Sequence, residues 1–96
     1  MSDTAAMNDF QNLLPKRTSW LEINPMPDGY MIYDPSLERI HYLNPASALI
    51  LELCDGSTSV KEIAAAVADS FGLSDTPIAA TESCVEKLMI ENLVHS

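Results

Sequence analysis

The chain has few of the residues on which catalytic and metal-binding sites usually depend. Among its 96 residues are three glycines, two cysteines and two histidines. Each glycine falls in a predicted turn, so no glycine-rich loop is left to cradle a phosphate. Cys54 and Cys84 lie far apart without a neighbouring thiol or imidazole, whereas zinc and iron-sulfur sites need three or four clustered ligands. We therefore expect two small side chains on helical faces in a reducing compartment, and no metal or cofactor.

Basic residues are also scarce. Five lysines and arginines stand against 14 acidic residues, which gives a formal net charge of -9. Because nucleic-acid binding takes most of its affinity from cationic side chains, this balance argues against a nucleic-acid partner. His41 falls in a predicted strand, where we expect a surface or rim position, and His95 is the penultimate residue. Since neither histidine belongs to a recognisable catalytic motif, the sequence predicts a protein that is not an enzyme.

Long apolar runs are missing as well. None approaches the roughly 20 residues that a membrane-spanning helix requires. No cationic and apolar signal segment opens the chain, so we expect a cytoplasmic protein without a membrane partner. The length suits a single domain. Residues 1–15, which are rich in small and polar side chains, are expected to form a flexible N-terminal tail, and residues 16–96 the folded domain.

Alternating apolar and polar residues predict three strands. The first covers residues 20–23, the second 30–33 and the third 38–43. Proline, aspartate and glycine residues fill the segments between them, so each strand should turn back on the one before it. The expected result is a three-stranded antiparallel meander.

Two helices with clear start signals follow the third strand. Asn44 offers a side-chain oxygen to the free amides of a helix start, and Pro45 suits the first helical position. Gly56 can take the left-handed conformation that stops this helix. The second helix starts at Ser59, which forms a capping box with Glu62, and it ends before residue 72.

A third helix completes the predicted domain. Thr76 is expected to be its cap, Pro77 to lie in its first turn, and Glu91 to be near its end. Asn92 can adopt the left-handed stop, and residues 93–94 should form an extended tail that packs back on the domain. Three strands followed by three helices indicate an α+β fold of winged helix-turn-helix type, in which the second and third helices form the helix-turn-helix pair.

The third predicted strand, residues 38–43, would lie at an edge of this sheet. An edge strand carries a row of unpaired N–H and C=O groups. An extended peptide can bind there as an additional strand, with main-chain bonds giving affinity and side-chain pockets giving specificity. The N-terminal tail, a helix or a second copy of the chain could equally cover the edge. Composition and periodicity leave this choice open.

The order and spacing of several short motifs resemble the PqqD family, which comprises the peptide chaperones of pyrroloquinoline quinone (PQQ) biosynthesis and the wider recognition elements of ribosomally synthesised and modified peptides (RiPPs). The resemblance covers about residues 16–95. The motifs that carry it are Asp34-Pro35, the run from Glu38 to Asn44, Asp55-Gly56, Ser59-Val60, Glu62-Ile63, Leu88 and Asn92-Leu93-Val94.

This resemblance implies a function in peptide binding. The domain would bind the leader segment of a ribosomally made precursor peptide, which adds as a strand beside the third strand and lies in the cleft that the third helix borders. It would then present the peptide to a modifying enzyme, commonly a radical SAM protein. The iron-sulfur clusters would belong to that partner, so this chain would hold no cofactor. The resemblance assigns the family but not the pathway.

The resemblance also implies a set of site residues. The strand contribution falls on Arg39, Ile40, His41, Tyr42 and Leu43. On the third helix, a step of about 100 degrees per residue places five residues on one stripe beside the core face, namely Ala80, Cys84, Lys87, Leu88 and Glu91. Small side chains there would leave room for the leader, and Lys87 would meet a leader carboxylate. The competing choice is the opposite flank, formed by Ala79, Ser83, Glu86 and Ile90.

Two other functions remain open from the sequence. One is a winged-helix regulator that binds DNA through its second and third helices, against which the net charge argues. The other is a structural dimer in which residues 38–43 pair with the same strand of a second copy. The peptide-binding protein itself could be a monomer or a homodimer.

Overall fold

The computed structural model describes residues 10–96 and confirms the predicted α+β fold. Its elements are β1 (Lys16–Arg17), β2 (Glu22–Met26), β3 (Gly29–Asp34), β4 (Arg39–Leu43), α1 (Pro45–Leu53), α2 (Val60–Phe71), α3 (Ile78–Ile90) and β5 (Val94–His95). The strands β2, β3 and β4 form one antiparallel sheet in that order, as the meander predicts. A second, two-stranded sheet pairs β1 with β5 and joins the two ends of the domain.

The predicted bounds of the first meander strand are wrong. Trp20 lies in a turn before β2, and the strand runs from residue 22 through Pro25 to residue 26. Because β2 is an edge of its sheet, it tolerates a proline that cannot donate a hydrogen bond. The connection to β3 therefore shrinks to Pro27 and Asp28, which form a two-residue turn.

The helix starts follow their predicted chemistry except in α3. The Asn44 side chain accepts a hydrogen bond from the backbone of Ser47, and α2 begins with the predicted capping box. The prediction of Thr76 as the cap of α3 is wrong, because Pro77 occupies the cap position and makes no side-chain hydrogen bond. The proline takes a non-helical ψ of 67°, so the helix starts one residue later than expected. Asn92 has a positive φ of 63° after the helix, which confirms the left-handed stop.

The described part of the predicted tail contacts the domain. The backbone oxygen of Leu13 accepts a hydrogen bond from Val60, and that of Pro15 accepts one from Gly56. Phe10 and Leu13 also pack against the core, and Pro15 is buried. The domain therefore includes contacts from residues 10–15, while residues 1–9 of the predicted tail lie outside the described residues.

One hydrophobic core lies between the three helices and one face of the meander. Ile32 in the central strand β3 is fully buried, and the remaining core residues come from the helices and the C-terminal segment. These are Ile50, Leu51, Cys54, Val60, Ile63, Val67, Val85, Leu88, Leu93 and Val94. α1 packs on β3 and β4, and α3 packs on α1, which fixes the position of α3 relative to β4.

Replacing Ser59 by Ala is expected to lower the free energy of unfolding by about 1 kcal/mol. The Ser59 hydroxyl accepts a hydrogen bond from Glu62 N at 3.1 Å, and the carboxylate of Glu62 accepts one from Ser59 N at 2.8 Å. Urea unfolding measures the loss. Ser70→Ala, at an exposed position of the same helix, is the matched control, and equal losses in both variants would contradict the capping box.

Candidate functional site

The edge of β4 exposes backbone groups whose direction can be assigned. The carbonyl oxygen of Leu43 points toward β3, since a Cβ atom on Gly29 would lie only 1.8 Å from it. Backbone groups of successive strand residues point to opposite sides, so Leu43 and His41 bond to β3. Ile40 and Tyr42 therefore direct their N–H and C=O groups toward the free edge. Within residues 10–96, β3 is the one strand that pairs with β4.

The side chains of β4 alternate between two environments. His41 lies opposite the fully buried Ile32 on β3, and Leu43 lies two residues further along the same face. Residues directly opposite in an antiparallel pair share a face, so both side chains face the helices. Ile40 and Tyr42 lie on the outer face, where they are 55% and 70% exposed. A strand added to this edge would meet the helices on one face and these two residues on the other.

A groove of about 540 Å³ lies between β4 and α3. Most of the predicted site residues line it, namely Ile40, His41, Tyr42, Leu43, Cys84, Lys87, Leu88 and Glu91. Asn44, Ser47 and Leu93 also line the groove and were not predicted as site residues. Ser47 is a polar residue in the largely apolar α1, and this was the available sequence signal. The groove thus combines a free strand edge with side chains from two helices.

The two remaining predicted residues, Arg39 and Ala80, do not line this groove. Arg39 forms an ion pair with Glu91, at 3.5 Å between Nη1 and Oε1, which connects the start of β4 to the end of α3. Both side chains are largely exposed, so the pair contributes little stability. Ala80 lines a neighbouring depression of about 470 Å³.

The position of α3 distinguishes its two flanks. Cys84 and Lys87 lie on the flank that borders the β4 groove. The competing flank does not line this groove: Ser83, Glu86 and Ile90 line a neighbouring depression, which Cys84 and Lys87 also border, and Ala79 is exposed. The geometry therefore brings the strand residues together with the first flank.

The two cysteines have different environments. Cys54 is fully buried, and its Sγ donates a hydrogen bond to the carbonyl oxygen of Ile50 at 3.1 Å. Burial raises the pKa of the Cys54 thiol to about 12. Cys84 is partly buried in the groove, with its Sγ 3.6 Å from Ser47 Oγ. A reagent that requires a thiolate should therefore distinguish the two residues.

Iodoacetamide is expected to alkylate Cys84 and to leave Cys54 unmodified in the folded protein at pH 8. Only the thiolate reacts, and Cys54 remains protonated below its raised pKa, whereas Cys84 lines an open groove. Mass spectrometry of the intact protein and its peptides would locate the adduct. Unfolding in urea should expose both thiols, and alkylation of Cys54 before Cys84 in the folded protein would contradict the assignment.

Metal-binding clusters and membrane-spanning helices are absent from the described residues. Within residues 10–96, no group of three or more His, Cys, Asp or Glu side chains is placed to hold a metal ion. No helix in this part of the chain is long and apolar enough to cross a membrane. The groove beside β4 is the candidate site because it combines the free strand edge with most of the predicted site residues.

Comparison with known proteins gives one match. The family model described as Coenzyme PQQ synthesis protein D (PqqD) matches residues 29–94. This segment starts at the first residue of β3 and ends in β5, so it contains every predicted site residue. The comparisons with curated proteins and with solved structures return no match.

Proposed function

Because the chain belongs to the PqqD family, we propose that it binds the leader segment of a ribosomally synthesised precursor peptide as a strand added to β4. The observation that carries this proposal is the free edge of β4 above a groove that α3 borders. An unpaired edge supplies main-chain hydrogen bonds to any extended segment, and the groove supplies selectivity for its side chains.

The main-chain bonds would come from two residues. Ile40 and Tyr42 each offer one N–H and one C=O to the added strand, in the pattern of an antiparallel or parallel ladder. Alternate side chains of the leader would then enter the groove, where Ser47 and Cys84 are small enough to leave space. The other leader side chains would pack on the exposed outer faces of Ile40 and Tyr42.

The chain would act as an accessory protein of peptide modification rather than as the modifying enzyme. Its family belongs to PQQ synthesis by name. The bound leader would be presented to a modifying enzyme, for which a radical SAM protein is the leading candidate. The redox cofactors of that reaction would then belong to the partner.

Calorimetric titration with a leader peptide tests this function. The peptide is the leader segment of a precursor encoded beside the gene, and a scrambled peptide of the same composition is the control. We expect saturable binding of one leader per chain and no saturation with the scrambled sequence. Equal heats from both peptides, or no heat from either, would contradict the proposal.

A further inference from the structure

His41 carries a buried nitrogen without a hydrogen-bond partner. The Nε2 atom of this side chain is inaccessible to solvent, and nothing among residues 10–96 lies within hydrogen-bond geometry of it. Buried polar atoms in native proteins are nearly always hydrogen-bonded, so each exception calls for an explanation. The side chain lies on the helix-facing side of β4 and lines the groove. An atom of a bound molecule can supply the missing partner when the imidazole rotates in the complex so that Nε2 faces the groove.

The charges around the groove indicate what kind of atom that is. Arg39 and Glu91 neutralise each other across its end at 3.5 Å. Lys87 on α3 lines the same groove, and no carboxylate of residues 10–96 lies within 4.0 Å of its ammonium group. The other titratable side chains that line the groove are the imidazole of His41, the phenol of Tyr42 and the thiol of Cys84. With the pair of Arg39 and Glu91 counted as neutral, Lys87 adds one positive charge to the groove, although Glu86 lines the neighbouring depression together with Lys87 and the whole chain carries -9.

We propose that His41 and Lys87 together select an acidic side chain, Asp or Glu, at the position of the bound peptide that enters the groove. This inference rests on the proposed function. In the tautomer that carries hydrogen on Nε2, His41 donates a hydrogen bond to one carboxylate oxygen, and Lys87 donates one to the other. Hydrogen bonds to a charged acceptor are about twice as strong as those between neutral groups. An amide or hydroxyl side chain of the peptide would accept a hydrogen bond from His41, but it would not form an ion pair with Lys87.

An acid-to-amide scan of the leader tests the selection. Each Asp and Glu of the leader used for calorimetry is changed singly to Asn or Gln, and binding is measured to the unaltered chain, to His41→Leu and to Lys87→Gln. We expect one position at which the amide weakens binding about tenfold in the unaltered chain and less than threefold in either variant. Such coupling identifies a direct interaction between the exchanged groups.

Control variants separate recognition from folding. Lys61→Gln removes a lysine from an exposed position of α2 outside the groove, so it should keep the tenfold preference. His41→Gln retains an N–H donor, so it should keep more of the tenfold preference for the acidic side chain than His41→Leu does. His41→Leu removes an unpaired nitrogen from a buried position, so its thermal midpoint should equal or exceed that of the unaltered chain.

The outcomes distinguish this inference from the proposed function. If the leader binds but no acidic position couples to His41 and Lys87, the acidic selection is wrong and peptide binding stands. If no leader binds, both are wrong. In the complex, the Nε2 resonance of His41 should shift in ¹⁵N spectra while that of the exposed His95 does not, and an unchanged His41 resonance would overturn the contact.

Discussion

A Gly29→Ala chain is expected to lose about 3 kcal/mol or more of its free energy of unfolding. Gly29 has a φ of 138°, a conformation that is accessible to glycine and strained for other residues. A Cβ atom there would also lie 1.8 Å from the carbonyl oxygen of Leu43. Since no side chain can approach a backbone oxygen so closely, β3 and β4 would have to separate where β4 leads into α1. Urea unfolding measures the loss.

Gly72 provides a matched control for this prediction. It also has a positive φ, of 64°, but a Cβ atom on it would meet nothing within 4 Å. Gly72→Ala should therefore lower the free energy of unfolding only by the strain of a left-handed alanine, about 1 kcal/mol. If Gly29→Ala cost no more than Gly72→Ala, the close approach of β4 to Gly29 would be wrong, and with it the assigned direction of the Leu43 carbonyl.

A Tyr42→Pro chain is expected to bind the leader about tenfold more weakly or worse while remaining folded. Proline removes the outward N–H of Tyr42, and its ring occupies the edge where the added strand would lie. The loss of one main-chain hydrogen bond corresponds to about 1 kcal/mol, and the blocked edge adds to it. Because this N–H points away from β3, the internal ladder is retained. Calorimetric titration with the leader measures the change.

Tyr42→Thr separates the backbone from the side chain. Threonine removes the exposed aromatic ring but keeps the N–H and the preference for a strand. We expect this variant to retain most of the affinity. Equal weakening by threonine and proline would show that the aromatic side chain, and not the strand edge, binds the peptide.

Much of the fold follows from local chemistry that the sequence displays. The Asn44 cap, the capping box of Ser59 with Glu62 and the left-handed Asn92 depend on residues within a few positions of one another. Such signals place the ends of helices without knowledge of the tertiary structure. The alternation in residues 38–43 likewise identifies β4.

The errors and omissions come from contacts between distant parts of the chain. The pair of β1 with β5 joins Lys16 to His95, and two-residue strands carry no periodicity that would reveal them. Pro25 falls in a predicted connection but lies in β2, and this tolerance of proline at an edge depends on the order of the strands, which the sequence does not show. A further long-range contact that local patterns do not reveal is the hydrogen bond that the carbonyl oxygen of Pro15 accepts from Gly56.

For the candidate site too, the sequence predicts what depends on local patterns but not what depends on tertiary packing. Helical periodicity places Cys84 and Lys87 on one flank of α3 and Ser83 and Glu86 on the other. It does not show which of the two flanks borders β4. That choice depends on how the helix packs on the sheet. The sequence predicts a surface or rim position for His41, but its side chain faces the helices and its Nε2 is buried without a partner, which depends on its three-dimensional surroundings.

The DNA-binding alternative gains no support from the helix pair. α2 and α3 carry one lysine each, Lys61 and Lys87, and Lys87 borders the groove. A protein that binds a phosphate backbone usually contacts it with many cationic side chains, so two lysines give little support to this alternative. Retention on duplex DNA that falls steeply with salt would contradict this conclusion.

Hydrogen exchange of the β4 amides tests the central claim most directly. In the free chain, the amides of Ile40 and Tyr42 should exchange quickly, because they point to the free edge, and those of His41 and Leu43 should be protected by β3. Addition of the leader should protect Ile40 and Tyr42 and leave the other two unchanged. Protection of Ile40 and Tyr42 in the free chain that rises with protein concentration would indicate pairing with a second copy. A saturating leader that left both amides exchanging quickly would contradict strand addition to β4.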